Sequence, residues 1–163
     1  MAATPLTAEG FAPFGDVIAA GLGPGASANQ GTALRFDRAA RLASTREGAH
    51  PNLAVFRSVA KELPFDVRLL ERHPCSSQAF LPMVCGRYLV VVAPDDPHGG
   101  PDLDRLRAFV ASAGQGINYL RGVWHHPIVA LDASADFVML AWEDGGSLDC
   151  EEQQLPRVVR VVG

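Results

Sequence analysis

The feature that most restricts the fold is a succession of short apolar segments that begins near residue 53 and runs to residue 162. Each is rich in Val, Leu, Phe or Tyr and is bounded by Pro, Gly, Asp or Ser, as β-strands are. Their spacing of about 10 residues favours an antiparallel sandwich or barrel over alternating strands and helices. The segments are NLAVFRSV, FDVRLLERH, QAFLPMV, GRYLVVVA, LRAFVA, INYL, HPIVALD, ADFVMLAW and RVVRVV. We therefore predict an all-β chain with a few short helices.

Helical signals are confined to two places. Thr7 is a suitable N-cap for a short helix near the start of the chain, and Asp102 predicts a second helix of about two turns. The glycine-rich stretch at 21–31 is expected to be a flexible loop. The acidic stretch at 143–152 is expected to connect the last two strands.

Length and composition exclude several classes of protein. With 163 residues, 48% of them apolar and 20% charged, the chain predicts a single folded domain over residues 1–163 rather than disorder. A net charge of −4 without a basic cluster argues against nucleic-acid binding. Three cysteines without a CxxC argue against a disulfide framework or a zinc ribbon. No apolar run of about 18 residues and no signal peptide is visible, so we expect a cytoplasmic protein without membrane association.

Two short motifs carry chemistry. In FDVRLLERHP, strand periodicity puts Glu71 and His73 on one face, where a carboxylate and an imidazole can hydrogen-bond, bind one metal ion or act on one substrate. In GVWHHP, the adjacent His125 and His126 must point to opposite faces of a strand. Only one of these two histidines can then face a binding cavity.

Together the two motifs resemble the paired motifs of the cupin superfamily, a jelly-roll type of antiparallel β-barrel. The positions that keep the superfamily's residue types are His73, Gly114, Gly122 and His125. The positions that depart from them are Glu71 for the first histidine, Gln78 for the glutamate and Leu120 for the proline. This register implies that His125 faces the barrel interior with His73, while His126 points the other way alongside Trp124.

The resemblance narrows to the ureidoglycolate lyase family of allantoin catabolism. It rests on LERHP, QAFLP and GVWHHP in this order, on the opening LTAEGFAPFGDVI and on EDGGSLDCEE, so it covers nearly the whole chain. It implies a cupin-like barrel, a homodimer in the cytoplasm, and the splitting of ureidoglycolate into glyoxylate and urea.

That reaction needs a base for the hydroxyl proton of a hemiaminal and an acid for the departing nitrogen, and histidine serves both roles near neutral pH. We expect His73 and His125 to be the acid–base pair, or else two ligands of a metal ion. Glu71 would orient His73 or complete the metal site.

The remaining candidates would bind the substrate. Gln78 and Asn118 offer donors to the ureido carbonyl, while Asn29 and Arg35 belong to a loop that would close over the substrate, with Arg35 on its carboxylate. The further substrate-binding candidates are Trp124 and His126.

The cofactor stays open between none and a divalent metal. The residues Glu71, His73, Gln78 and His125 would form a mixed nitrogen and oxygen site for Ni²⁺, Mn²⁺ or Zn²⁺, although glutamine is a poor ligand. Two other functions stay open as well. One is a cupin that binds a ureide or a 2-oxoacid without turning it over, and the other is a metal-dependent cupin enzyme for another small acid.

Overall fold

The computed structural model describes all 163 residues and shows an almost entirely β chain. Two short helices are present, and neither has the length and apolar character to cross a bilayer. In chain order the elements are β1 (Thr4–Pro5), α1 (Ala8–Phe11), β2 (Gly15–Ile18), β3 (Ala26–Ala28), a 3-10 helix (Asn29–Gly31), β4 (Ala33–Arg35), β5 (His50–Ser58), β6 (Phe65–Arg72), β7 (Gln78–Val84), β8 (Arg87–Ala93), β9 (Arg107–Ser112), β10 (Gly116–Tyr119), β11 (Trp124–His125), β12 (Val129–Leu131), β13 (Ala135–Glu143) and β14 (Glu151–Val161).

The strands form two facing sheets and a separate hairpin. The first sheet has the order β1-β9-β8-β11-β6-β14, with β12 also paired to β8, and the second has the order β2-β10-β7-β13-β5. The hairpin consists of β3 and β4. Strand pairs are antiparallel except for β1 with β9. This arrangement resembles a jelly roll and confirms the all-β prediction.

The main core lies between the two sheets and contains 17 buried residues. Val90 and Val92 of β8 meet Phe80 of β7 and Phe137 of β13 there. Because side chains alternate along a strand, every second residue of these segments is buried in this layer. Fully burying a side chain of this size contributes roughly 1.5–3 kcal/mol, so the contact between the sheets is the main source of stability.

Strand β8 is buried on both faces. Its other set of residues, including Leu89 and Val91, joins Trp124 in a second cluster of 11 buried residues. The unbroken apolar run YLVVVA is typical of such a strand, because neither face is left for polar residues. Strand β11, beside β8, is therefore held in the middle of the first sheet.

The first predicted helix is confirmed. Thr7 caps α1, and its hydroxyl accepts a hydrogen bond from Gly10 N at 3.1 Å. Phe11 at the end of this helix is completely buried and packs edge-to-face on Phe109, with ring centroids 5.9 Å apart. The short N-terminal segment thus covers one end of the main core.

The second predicted helix is wrong. The Asp102 carboxylate accepts hydrogen bonds from Asp104 N and Arg105 N at 3.1 and 3.3 Å, but the chain forms only a turn. Leu106 is already buried and β9 begins at Arg107, so too few residues remain for a helix. The stretch at 21–31 is also more ordered than expected, because it contains β3 and the 3-10 helix.

Candidate active site

Four polar side chains predicted from the motifs meet between the two sheets. Glu71 on β6 and His125 on β11 are direct cross-strand partners. His73 follows β6 on the same face as Glu71, and Gln78 begins β7 in the opposite sheet. His73, Gln78 and His125 are 7%, 4% and 1% exposed. The two imidazole rings stack with centroids 5.4 Å apart, so residues distant in the chain converge at one place.

Backbone carbonyls fix the orientation of both rings. His73 Nδ1 donates to the carbonyl of Asp149 at 2.6 Å, and His125 Nδ1 donates to the carbonyl of Val123 at 2.9 Å. In a neutral ring the Nε2 atom then carries the lone pair. His73 Nε2 is buried and has no hydrogen-bond partner in the protein. A buried nitrogen left in this state is costly unless a ligand uses it.

The Nε2 atom of His125 faces oxygen atoms. It lies 3.2 Å from Gln78 Oε1 and 3.5 Å from Glu71 Oε1. Tyr119 stacks on the other side of the His125 ring, with centroids 3.9 Å apart. The carboxylate therefore lies against His125, while the Asp149 carbonyl orients His73; that Glu71 acts on His73 or completes a metal site stays a prediction.

Burial and charge set the protonation of this group. Burial and the neighbouring His125 lower the pKa of His73, which favours its neutral form. Burial raises the pKa of Glu71, but the hydrogen bond and the charge of His125 outweigh burial, and the net shift is downward. A neutral base and an ionised carboxylate thus lie next to each other.

These residues surround a cavity of about 330 Å³, which we call the histidine pocket. Glu71, His73 and Gln78 line it, and His125 lies directly behind Glu71 and Gln78. The other lining residues are Phe56, Arg57, Ser58, Phe80, Pro127, Ile128, Met139 and Glu143.

Sequence reasoning missed three polar groups of this site. Arg57 and Glu143 come from β5 and the last residue of β13, and only the pairing of these strands in the second sheet brings them to the pocket. Cys150 Sγ lies 3.9 Å from Glu71 Oε2. The pKa of this thiol is raised to about 11, mainly by burial and further by the nearby carboxylates. Glu143 and Cys150 lie in the stretch EDGGSLDCEE, but no local pattern assigns any of the three to this pocket.

Glu71, His73 and His125 form a possible metal-binding group, with one ligand atom from each within 4.8 Å of the others. Two imidazole nitrogens and a carboxylate suit a divalent transition metal. Both rings also donate their other N–H to a backbone carbonyl, as metal-ligating histidines usually do. The partnerless His73 Nε2 points to the same conclusion, so the residues fit such an ion.

The structure does not bring the other candidates to this pocket. Asn118 lies on the opposite face of β10 and donates to Asp16 at 3.0 Å. Trp124 packs in the second cluster beneath the Arg72 guanidinium, and His126 packs edge-to-face on Phe65. The suggested roles of these side chains in substrate binding stay predictions.

Asn29 and Arg35 belong to the β3–β4 hairpin. Arg35 lines a second cavity of about 760 Å³ together with Asp16, Arg38 and Arg41, and we call this cavity the arginine groove. The proposed closing of Asn29 and Arg35 over the substrate also stays a prediction.

Comparison with known proteins gives the family. The model of the family described as ureidoglycolate lyase matches residues 1–162. The chain belongs to the ureidoglycolate lyase family. It is 45% identical over 152 residues to a ureidoglycolate lyase of Burkholderia mallei, covering 93% of this chain and 87% of that protein. It is 41% identical over 150 residues to one of Pseudomonas fluorescens, covering 91% and 87%.

A solved structure of a 3,4-ketoisomerase from Helicobacter canadensis is similar to the chain at 11% identity and a TM-score of 0.48, covering 84% of this chain and 89% of that one. Family membership confirms the resemblance that LERHP and GVWHHP carry in the sequence. Because the family's reaction is known, the geometry of the histidine pocket can be compared with what that reaction requires.

Proposed function

We propose that this ureidoglycolate lyase family member cleaves ureidoglycolate into glyoxylate and urea in the histidine pocket. Family membership makes the chain a carbon–nitrogen lyase. The observation that supports this site is the buried group of Glu71, His73 and His125, in which an imidazole lone pair has no protein partner. A hemiaminal hydroxyl is a suitable partner for that lone pair.

The cleavage requires two proton transfers. His73 Nε2 takes the proton of the substrate hydroxyl while the carbon–oxygen double bond of glyoxylate forms. The electrons of the carbon–nitrogen bond pass to the departing nitrogen, which must gain a proton to leave as urea. The Glu71–His125 pair supplies that proton: it passes from His125 Nε2 to the Glu71 carboxylate, which lines the pocket, and from there to the departing nitrogen.

The rest of the pocket suits the two ends of the substrate. Arg57 uses Nε and Nη2 to bind Asp136 at 2.8 and 2.9 Å, which leaves Nη1 free for the substrate carboxylate. Glu143 can accept N–H groups of the ureido end, and Gln78 can donate its amide to the ureido oxygen. Fixing both ends places the hydroxyl against His73.

A divalent ion is the alternative to these proton transfers, because the Nε2 atoms of His73 and His125 cannot bind a metal ion and carry protons at the same time. Glu71, His73 and His125 would hold Ni²⁺, Mn²⁺ or Zn²⁺, which would supply Lewis-acid polarisation of a substrate oxygen. Elemental analysis of the purified protein, with activity measured before and after chelation, tests this part. Full activity in metal-free protein would leave the proton transfers to the side chains alone.

The direct test of function is product analysis. Incubation with ureidoglycolate should release glyoxylate and urea in equal amounts, after subtraction of spontaneous breakdown. Release of ammonia and CO₂ in place of urea would show an amidohydrolase. Binding of ureidoglycolate without any product would show a sensing cupin.

We also propose a homodimer. Strand β5 is an edge strand of the second sheet, and Leu53 and Val55 on it are 71% and 64% exposed. Met83 on β7 adds to this apolar surface. Exposed apolar edges usually belong to an interface, and a second copy of the chain offers the same surface. Light scattering should give twice the chain mass, and Leu53→Asp should shift it towards the monomer.

A further inference from the structure

The loop between β13 and β14 contacts a histidine of the histidine pocket through a backbone carbonyl. The carbonyl of Asp149 accepts the hydrogen bond from His73 Nδ1 at 2.6 Å. The side chain of the same residue closes the loop, because its carboxylate accepts hydrogen bonds from Gly145 N at 2.7 Å and Asp144 N at 3.2 Å. One aspartate therefore holds the loop in shape and orients the imidazole.

Arg46 clamps this loop from outside the pocket. Its guanidinium donates to Asp149 Oδ1 and lies 3.0 Å from Asp144 Oδ2. The Arg46 side chain is only 15% exposed, so this contact is not a loose surface pair. We call Arg46, Asp144 and Asp149 the Arg46 clip.

The clip is tied to the chain on the other side of His73 as well. Thr45 N donates to the carbonyl of Cys75 at 2.9 Å, and Ser77 N donates to the carbonyl of Ala43 at 2.9 Å. The segment that carries Arg46 is thus bonded to residues that follow His73 directly. Arg46 connects the two segments that flank the imidazole, and neither Arg46 nor Asp149 lines the cavity.

The charges of the clip persist near neutral pH. Partial burial raises the pKa of Asp149, but the hydrogen bonds from Arg46 and from the loop N–H groups outweigh burial and lower it. The hydrogen bond to Asp149 raises the pKa of Arg46. Both partners stay ionised, and the planar guanidinium of Arg46 bridges the two carboxylates of the loop with one contact to each.

We propose that Arg46 and Asp149 are positioning residues that lock His73 in the tautomer with its proton on Nδ1. This role rests on the proposed function, in which the Nε2 lone pair of His73 accepts the substrate proton or holds a metal ion. Without the clip, the Asp149 carbonyl moves away from Nδ1 and the ring also adopts the tautomer with its proton on Nε2. That tautomer has no lone pair to offer to the pocket.

The test combines kinetics with the tautomer itself. Arg46→Gln and Asp149→Asn remove the ion pair, Arg46→Lys keeps the charge without the planar guanidinium, and Arg87→Gln is the matched control. Arg87 likewise makes an aspartate ion pair, with two bonds to Asp132, and neither residue lines the histidine pocket. Long-range ¹H–¹⁵N correlation spectra of the full chain, purified without metal, report which nitrogen of His73 is protonated.

We expect Arg46→Gln and Asp149→Asn to lower kcat about 10- to 100-fold with KM within about twofold, the usual range for partners that orient a functional histidine. Their spectra should show both tautomers of His73. Arg46→Lys should lie between these variants and the wild type, and Arg87→Gln should match the wild type in both readouts.

An unchanged tautomer in the folded Arg46→Gln or Asp149→Asn protein would overturn the proposal, whether or not kcat falls. If circular dichroism shows that neither variant folds, Arg46→Lys is judged on the same two readouts, and wild-type behaviour there overturns the proposal. If the wild-type chain releases no urea, the proposed function fails, while the spectra still decide whether the clip sets the tautomer.

Discussion

The histidine pocket and the arginine groove differ in how their charged groups are satisfied. The groove is the larger cavity, at about 760 Å³ against 330 Å³, but two of its three arginines are paired with aspartates. Arg35 pairs with Asp37 and Arg41 pairs with Asp16, and these arginine side chains are 69% and 59% exposed. In the pocket, His73 Nε2 is buried without a partner. The buried imidazole lone pair without a partner, rather than cavity size, favours the histidine pocket as the place of the chemistry.

The largest expected difference between the two cavities is catalytic. His73→Ala and His125→Ala should each lower kcat/KM by about 100-fold or more, because each removes a proton-transfer group. Urea release measures the effect, and circular dichroism with a melting curve checks the fold. Near-wild-type activity in both variants would show that the pocket is not the active site.

A change inside the groove should affect stability instead. The Asp16 carboxylate accepts hydrogen bonds from Arg41 N, Arg41 Nε and Asn118 Nδ2 at 2.8–3.0 Å. Asp16→Ala leaves the buried Asn118 amide short of an acceptor, which should cost about 1–3 kcal/mol of unfolding free energy. Guanidinium unfolding measures this cost, and kcat of the variant should stay at the wild-type value. A hundredfold fall in kcat would show that the arginine groove takes part in catalysis.

The same carboxylate predicts how stability depends on pH. Partial burial raises the pKa of Asp16, but the hydrogen bonds from Arg41 and Asn118 outweigh burial, so the pKa in the folded chain lies below 3.8. The folded state therefore favours the ionised form. The ionised Asp16 carboxylate stabilises the folded state fully when the pH is above its pKa in the unfolded chain, near 3.8. This stabilisation is lost as the pH falls through the lower pKa of Asp16 in the folded chain.

The stability of the wild type relative to Asp16→Asn should accordingly be constant near neutral pH and should shrink below about pH 4. Guanidinium unfolding of both proteins at a series of pH values measures this difference. A difference that grows as the pH falls would contradict the assigned direction of the shift.

The smallest effect is expected at the hairpin. Arg35→Ala removes an exposed ion pair, which contributes about 0–1 kcal/mol, and its cavity is separate from the histidine pocket. Stability and kcat/KM should therefore change little. A tenfold rise in KM for ureidoglycolate would instead support the sequence-based prediction that Arg35 binds the substrate carboxylate.

Local patterns in the sequence predicted the parts of the fold that depend on local physics. The apolar strands stand out because strand parity and turn residues act over a few positions. The same parity put Glu71 and His73 on one face and predicted that His125 and His126 point apart. The motif resemblance added the convergence of His73 with His125, which periodicity alone does not give.

The remaining parts depend on contacts between distant segments. Glu143 and Arg57 reach the pocket only because β13 and β5 pair in the second sheet, and the apolar patterns that predict these strands do not say which strands pair. Asn118 lies on the face of β10 opposite Tyr119, which the sequence did not indicate, and its role in substrate binding stays a prediction. Asp102 failed as a helix start because a buried residue and a strand follow too soon.

The two-residue strand β11 has a consequence for the tolerance of the chain to deletions. In the first sheet His125 is paired with Glu71 of β6 on one side and with Val92 of β8 on the other, and the next residue is again a histidine. Loss of one residue just before His125 would advance the chain by one position and bring His126 into the place of His125. The same shift would put Pro127 in the place of His126, whose N–H donates to the Val91 carbonyl at 2.9 Å, so the shortened chain would still present an imidazole to the carboxylate but would lose this hydrogen bond to β8.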